Sequence, residues 1–121
     1  MLVDDNPLDN LINSQLIETA GFALKINKHE SAKETLDFLK NATPEELPEV
    51  IFLDIIMPVM DGFQFLEEFE KLGETITKKC KIILLSTSDS FKDLNRANKN
   101  RLVKKFLNKP LTVEMLSAIN I

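Results

Sequence analysis

Four apolar, strand-like runs of this sequence are closely followed by side chains that could do chemistry together. They are the adjacent acids Asp4 and Asp5, then Asp54, the adjacent hydroxyls Ser86 and Thr87, and Lys109. In an open α/β sheet, ligands bind outside the carboxyl ends of the parallel strands. Three carboxylates in one crevice repel one another unless a cation neutralises them, and an all-oxygen ligand set suits Mg²⁺. An ammonium and a hydroxyl could then stabilise charge during phosphoryl transfer to a carboxylate.

Each of these groups also has a plainer interpretation when it is taken alone. An aspartate after a strand is commonly a helix cap, and Ser86 alone fits a turn. Capping does not explain why such side chains follow four strands at once. The joint pattern therefore predicts one shared functional site.

The elements that must position this site alternate along the chain. Apolar runs predict strands at 1–3, 22–26, 50–53, 81–85 and 103–107. Three helices are predicted after the capping residues Asn6, Ser31 and Thr112. Two more are predicted from Gly62 and over roughly 89–100. Gly21 is predicted to end the first helix and Gly73 the third. Leu8, Leu11, Ile12, Leu16 and Ile17 give the first helix its apolar spacing. Five βα repeats predict an α/β fold, doubly wound, with five parallel strands and helices on both faces.

Bulk composition sets limits on domain count and partners. The 121 residues are 44% apolar and carry a net charge of −4, which predicts one domain over 1–121 without a direct nucleic-acid partner. A basic run at 99–109 is interpreted as a solvated face. No apolar segment has membrane-spanning length and the start turns acidic early, so we expect a cytoplasmic protein. The first strand is short for a central one, so a few native residues are expected to be missing before it.

Four local segments together resemble one family. They are LVDDN at 2–6, FLDIIMPVMDG at 52–62, LLSTS at 84–88 and FLNKP at 106–110. In this order they resemble the receiver domain of response regulators in two-component signalling, of the chemotaxis-regulator type. The resemblance covers essentially the whole chain. It implies a flavodoxin-like sheet with strand order 2-1-3-4-5.

The resemblance implies a role for each residue of the metal and acceptor site. Asp54 would accept a phosphoryl group from a sensor histidine kinase or a histidine phosphotransfer protein. Asp5, Asp54 and the backbone carbonyl of Ile56 would bind Mg²⁺ directly, and Asp4 would act through water. Lys109 would pair with carboxylate or phosphoryl oxygens, across a cis peptide to the proline that follows it.

A switch is implied as well. Ser86 would hydrogen-bond the phosphoryl group, with Thr87 as the alternative hydroxyl. Phe106 would be the aromatic switch residue, whose rotamer changes with the position of Ser86. Phe106 at an apolar strand position also fits a plain core residue. The helix at 89–100, the fifth strand and the last helix would form the face that binds a downstream protein or a second copy.

Other functions disagree with named positions. A phosphatase of the haloacid-dehalogenase type needs a second acid two residues after the nucleophile, where this chain has Ile56. A flavodoxin-like flavin carrier must hold a phosphate in its first loop with small residues and backbone amides. The carboxylates of Asp4 and Asp5 in that loop would repel it. A degenerate receiver, acting only as an interaction module, would be expected to lose the acids or Lys109. We therefore expect a signalling domain that catalyses only its own phosphorylation and slow dephosphorylation.

Overall fold

The computed structural model of the protein describes residues 1–87 and 91–119, except for the side chain of Phe91. Five parallel strands form one sheet in the order β2-β1-β3-β4-β5. The strands are β1 Leu2–Val3, β2 Lys28–His29, β3 Val50–Asp54, β4 Lys81–Ser86 and β5 Val103–Asn108. The doubly wound α/β fold and the strand order predicted from the sequence are confirmed.

The helices lie on both faces of this sheet. They are α1 Pro7–Ala20, α2 Ala32–Asn41, α3 Gly62–Glu70, α4 Glu74–Lys79, α5 Phe91–Lys99 and α6 Val113–Ala118, with a 3₁₀ turn at Pro44–Glu46. Residues of one strand alternate between two apolar clusters: Ile51 and Leu53 of β3 face one, whereas Phe52 faces the other. Strands covered on both faces must be apolar at every position, which explains the continuous runs in the sequence.

Capping side chains begin the helices where the sequence predicted them. The Asn6 side chain accepts from the Leu8 amide at 2.9 Å, and Gly21 ends α1 at φ 67°. At α2, Ser31 accepts from the Glu34 amide, but the Glu34 carboxylate contacts His29 Nδ1 at 3.0 Å instead of returning to the cap. Of the two reciprocal hydrogen bonds of a capping box, only the one accepted by Ser31 therefore forms here.

The predicted second strand at 22–26 is wrong, because β2 is Lys28–His29. Phe22 packs against Phe52, with ring centroids 5.9 Å apart, and Ile26 packs against the same apolar cluster. These apolar side chains therefore contribute to packing and not to a strand ladder. The chain joins the sheet only afterwards, where the Asn27 carbonyl accepts from the Leu2 amide at 2.8 Å.

The predicted end of the third helix is also wrong. α3 ends at Glu70, and Gly73, at φ 100°, precedes the additional helix α4. α4 is six residues long, too short to show an apolar period in the sequence. For the helix predicted at 89–100, its first two residues lie outside the described part of the chain, as does Ser88 of the LLSTS motif.

The first half of α1 exposes apolar side chains and buries polar ones. Leu8, Leu11 and Ile12 are 60%, 45% and 51% exposed, whereas Asn10 and Asn13 are buried. The apolar spacing reaches the core only further along α1, at Ile17 and the partly buried Leu16. Polar residues face inward near the start of α1 because this part of the helix packs beside the polar ends of β1 and β2.

The sheet has two edges, β2 and β5. β2 is two residues long, and β5 exposes Lys104 and Lys105. Lys99 and Arg101 are exposed as well, in agreement with a solvated basic face, but Lys109 turns into the molecule. Within the described residues, no helix is both long and apolar enough to cross a bilayer.

Candidate functional site

Neighbouring strands bring the three predicted acids together. β1 and β3 pair in register, Val3 with Leu53, so that Asp4 and Asp54 follow side by side at the carboxyl end of the sheet. The carboxylates of Asp4, Asp5 and Asp54 each offer an oxygen, and these oxygens lie within 4.8 Å of one another. Asp4 and Asp54 are buried, whereas Asp5 is exposed and opens the cluster to solvent.

Lys109 brings a positive charge into this cluster. Its Nζ lies 2.5 Å from Asp4 Oδ2 and 3.6 Å from Asp54 Oδ1. The Lys109 backbone N–H donates to the Ser86 carbonyl at 2.8 Å, and the peptide bond to Pro110 is cis, as predicted. Burial lowers the pKa of Lys109, but the hydrogen bond that Lys109 donates to Asp4 and the charges of Asp54 and Asp4 outweigh it, so the pKa is raised above its ordinary value.

Asp54 is held in an unfavourable electrostatic position. Its pKa is raised from 3.8 to about 6, first by burial and then by the charge of Asp4, with Asp5 adding a smaller contribution. Lys109 and the Ile56 backbone N–H act in the opposite direction but do not cancel these effects. The ionised site therefore carries excess negative charge that a bound cation would relieve.

The donor set matches the chemistry of a hard divalent cation. It consists of carboxylate oxygens, grouped within 4.8 Å and open to solvent through Asp5. Mg²⁺ prefers oxygen ligands and keeps several waters, so an incomplete protein shell suits it. Ile56, whose backbone carbonyl was predicted as a further ligand, lies in the loop after β3 with its side chain 61% exposed.

The loop after β3 folds tightly over the acceptor strand. The Gly62 amide donates to the Ile55 carbonyl at 2.8 Å. A Cβ atom at Gly62 would lie 2.9 Å from both the Asp54 carbonyl oxygen and the Ile55 Cα, so only glycine allows this approach. Val59 in the same loop has φ 69°, which is strained for a β-branched residue.

The two candidate hydroxyls lie in different surroundings. Ser86 is fully buried at the end of β4, and Thr87 is exposed in the bend that follows. Ser86 is joined to the site through its carbonyl, which accepts from Lys109. Phe106 is half-buried on β5, beside Leu84 of β4, and packs at the margin of an apolar cluster.

Two residues near the site were missed from the sequence. Asp9 Oδ2 lies 3.2 Å from Lys109 Nζ. Asn10 is buried, and its Nδ2 donates to the backbone carbonyls of Asp4 and His29 at 3.0 and 3.1 Å. Their position in the first turns of α1, directly after the acidic pair, was the available signal. Their side chains reach the site only because α1 packs over the end of β1.

Comparison with known proteins gives a consistent result. The family model described as response regulator receiver domain matches residues 1–120. The chain is 31% identical, over 96% of its own length and 74% of the relative's, to the probable methanogenesis regulatory protein FilR2 of Methanothrix harundinacea. It is 27% identical to the hybrid signal transduction histidine kinase A of Dictyostelium discoideum, over 96% of this chain but 5% of that protein. A crystal structure of a response regulator receiver protein from Dyadobacter fermentans superposes with a TM-score of 0.86, at 27% identity and covering 95% and 88% of the two chains.

Proposed function

We propose that this chain, which belongs to the response regulator receiver domain family, acts over residues 1–121 as a phosphorylation-dependent switch with Asp54 as the acceptor. The observation that carries this proposal is the arrangement around Asp54. A buried carboxylate ends a central strand, shares a cluster with two further carboxylates, and lies 3.6 Å from the Lys109 ammonium. The similarity to a hybrid histidine kinase supports a sensor histidine kinase or a phosphotransfer protein as the donor.

The chemical step is transfer of a phosphoryl group between two side chains. A carboxylate oxygen of Asp54 forms a bond to phosphorus while the bond from phosphorus to the donor imidazole nitrogen breaks, which gives an acyl phosphate and a neutral imidazole after proton uptake. With a pKa of about 6, Asp54 is mostly ionised at neutral pH and can act as the nucleophile. The cluster of acids otherwise repels a phosphoryl group, so neutralisation is the main requirement.

Mg²⁺ would supply that neutralisation when it is bound. We assign Asp5, Asp54 and the Ile56 backbone carbonyl as its direct ligands and Asp4 as a ligand through water. Lys109 lies close to both buried acids. It could therefore remain paired when the negative charge moves from the Asp54 carboxylate to a phosphoryl oxygen.

The switch begins when the phosphoryl oxygens draw the Ser86 hydroxyl toward Asp54. Movement of the segment after β4 would shift α5, and the Phe106 side chain would change its position on β5. α5 has a single fully buried side chain, Ala97, among those that the structure describes, so its displacement costs little packing. The face formed by α5, β5 and α6 would then bind a downstream protein or a second copy, as a shift between two populations.

The phosphoryl group should persist as a signal. Rapid hydrolysis of an aspartyl phosphate needs a nearby acid or base to activate water, and the position two residues after Asp54 is Ile56. The protein is thus a phosphoacceptor whose only catalysis is its own phosphorylation and slow dephosphorylation.

Acetyl phosphate tests this proposal without a protein donor. Intact mass spectrometry should show one added phosphoryl group that depends on Mg²⁺, and Asp54→Asn should abolish it. Asp37→Asn, at an exposed aspartate of α2, is the matched control and should be labelled like the wild type. Labelling that survives Asp54→Asn would overturn the assignment.

Lys109→Ala tests the coupling step. This variant should be phosphorylated but fail to transmit the change to the α5-β5-α6 face. Partner capture with phosphorylated and unphosphorylated protein is the measurement. If the phosphorylated Lys109→Ala protein binds the partner as the wild type does, the role assigned to Lys109 is wrong. If the phosphorylated and unphosphorylated forms of the wild type bind equally well, the protein is an interaction module that does not depend on phosphorylation.

A further inference from the structure

The Asn10 side chain connects α1 to the ends of two strands at the border of the acidic cluster. We propose that Asn10 is a positioning residue, which holds the end of β1 so that Asp4 and Asp5 present their carboxylates to a divalent cation. This inference rests on the function proposed above, and it adds a residue that does not itself touch the cation.

The contacts of Asn10 fix the backbone of Asp4. Asn10 is 3% exposed, and both hydrogen bonds of its Nδ2 go to backbone carbonyls, Asp4 O at 3.0 Å and His29 O at 3.1 Å. The His29 carbonyl also accepts from the Asp4 amide at 3.1 Å. The Asn10 amide therefore joins Asp4, the residue after β1, to His29, the last residue of β2, at the place where the pairing of these two strands ends.

The ladder at this place is short. β1 and β2 are each two residues long and pair only through Leu2 with Lys28 and Val3 with His29. On its other side β1 pairs with β3, Leu2 with Phe52 and Val3 with Leu53, and that pairing ends at the same residue of β1. The two hydrogen bonds from Asn10 therefore restrain the turn from Asp4 into α1 at the point where both pairings of β1 have ended.

The position of the Asp4 backbone determines where two carboxylates point. Asp4 Oδ1 accepts from the Asn6 amide at 3.0 Å, and Oδ2 faces Lys109 at 2.5 Å. Asp5 follows directly and carries the exposed carboxylate of the cluster. Mg²⁺ tolerates little deviation from octahedral geometry, so a displacement of this turn by a fraction of an ångström should weaken its binding.

Stability alone does not explain an asparagine at this position. Its Oδ1 is buried and has no hydrogen-bond partner among the protein groups that the structure describes. A buried, unsatisfied acceptor is destabilising and offsets part of what the two donated hydrogen bonds contribute, and a leucine of similar size would not introduce such an acceptor. The two hydrogen bonds that Asn10 donates at the strand ends are what a leucine could not provide.

The test separates cation affinity from folding stability. In Asn10→Leu, the Mg²⁺ affinity measured by isothermal titration calorimetry should fall about tenfold or more, as for the loss of a group that orients a metal ligand. The urea midpoint measured in EDTA should stay close to the wild-type value, because removal of the unpaired Oδ1 offsets the loss of the two hydrogen bonds that Asn10 donates. The Mg²⁺ concentration for half-maximal labelling by acetyl phosphate should increase by the same factor, while the rate at saturating Mg²⁺ is retained.

Asn13→Leu is the matched control, because Asn13 is a second buried asparagine on α1. It should leave the Mg²⁺ affinity within about threefold of the wild type. If Asn10→Leu does not fold, Asn10→Ala removes the same donors without added bulk and carries the same test. If the folded Asn10 variant binds Mg²⁺ as tightly as the wild type, the role of Asn10 is wrong but the proposed function stands. If the wild-type protein itself binds no Mg²⁺, both the proposed function and the role of Asn10 are wrong.

Discussion

Replacement of Asp54 by asparagine should stabilise the folded protein in the absence of divalent cations. Asparagine has nearly the same shape as aspartate but carries no charge, so it removes the repulsion between residue 54 and Asp4. Lys109 keeps its ion pairs with Asp4 and Asp9 at 2.5 and 3.2 Å and is not left unpaired. The substitution therefore removes an unfavourable interaction without creating a new one.

The magnitude follows from the pKa of Asp54. Burial first, and then the charge of Asp4, raise this pKa from 3.8 to about 6. Because the folded protein holds the proton more tightly than the unfolded chain, ionisation destabilises the fold, and stability is lost as the pH rises from about 4 to about 6. A difference of roughly two pKa units corresponds to about 3 kcal/mol, fully present at pH 7. Asp54→Asn should recover an amount of this order at pH 7 and almost nothing at pH 4.

Urea unfolding followed by circular dichroism measures this difference, since the chain has no tryptophan or tyrosine for fluorescence. The experiment compares wild type, Asp54→Asn and the exposed control Asp37→Asn at several pH values in EDTA. The control should stay within about 0.5 kcal/mol of the wild type. The reasoning is refuted if Asp54→Asn is no more stable than the wild type at pH 7, or if its advantage does not shrink toward pH 4.

Three further substitutions test the loop after β3 and the contact between α5 and α3. Gly62→Ala should destabilise the protein by more than about 1 kcal/mol in urea unfolding, because its Cβ would lie 2.9 Å from the Asp54 carbonyl oxygen; unchanged stability would mean that the loop can move away freely. Val59→Gly should raise the unfolding free energy by about 1 kcal/mol, since φ 69° is strained for valine, and a loss of stability would contradict that conformation. Arg96→Gln should cost about 0.5–1 kcal/mol, because the guanidinium lies 3.9 Å from the centroid of the Phe63 ring, and Arg96→Lys should restore part of the loss.

The sequence was sufficient to predict which side chains lie close together at the strand ends. Parallel strands finish at one edge of a sheet, so residues that follow apolar runs must meet there, whatever the details of the loops. Asp4, Asp54 and Lys109 come together for this reason. Continuous apolar runs also sufficed for β3 and β4, because strands covered on both faces leave a strong pattern.

Other features depend on contacts that no local pattern records. β2 is placed by hydrogen bonds to β1, and its two residues, Lys28 and His29, are not strand-like in composition. The helical spacing of the apolar residues of α1 was visible in the sequence, but it does not say which of them are buried, and Leu8 and Leu11 are exposed. Asp9 and Lys109 are 100 residues apart along the chain. Their contact depends on how α1 packs over the sheet, which no local pattern shows.

The edges of the sheet have a consequence for the behaviour of the protein at high concentration. A strand of another molecule that added to β5 would have to accommodate the exposed ammonium groups of Lys104 and Lys105, and β2 offers only two residues as a template. Short strands and edge lysines are devices that oppose sheet extension between molecules. We therefore expect concentrated protein to resist fibril formation through its sheet.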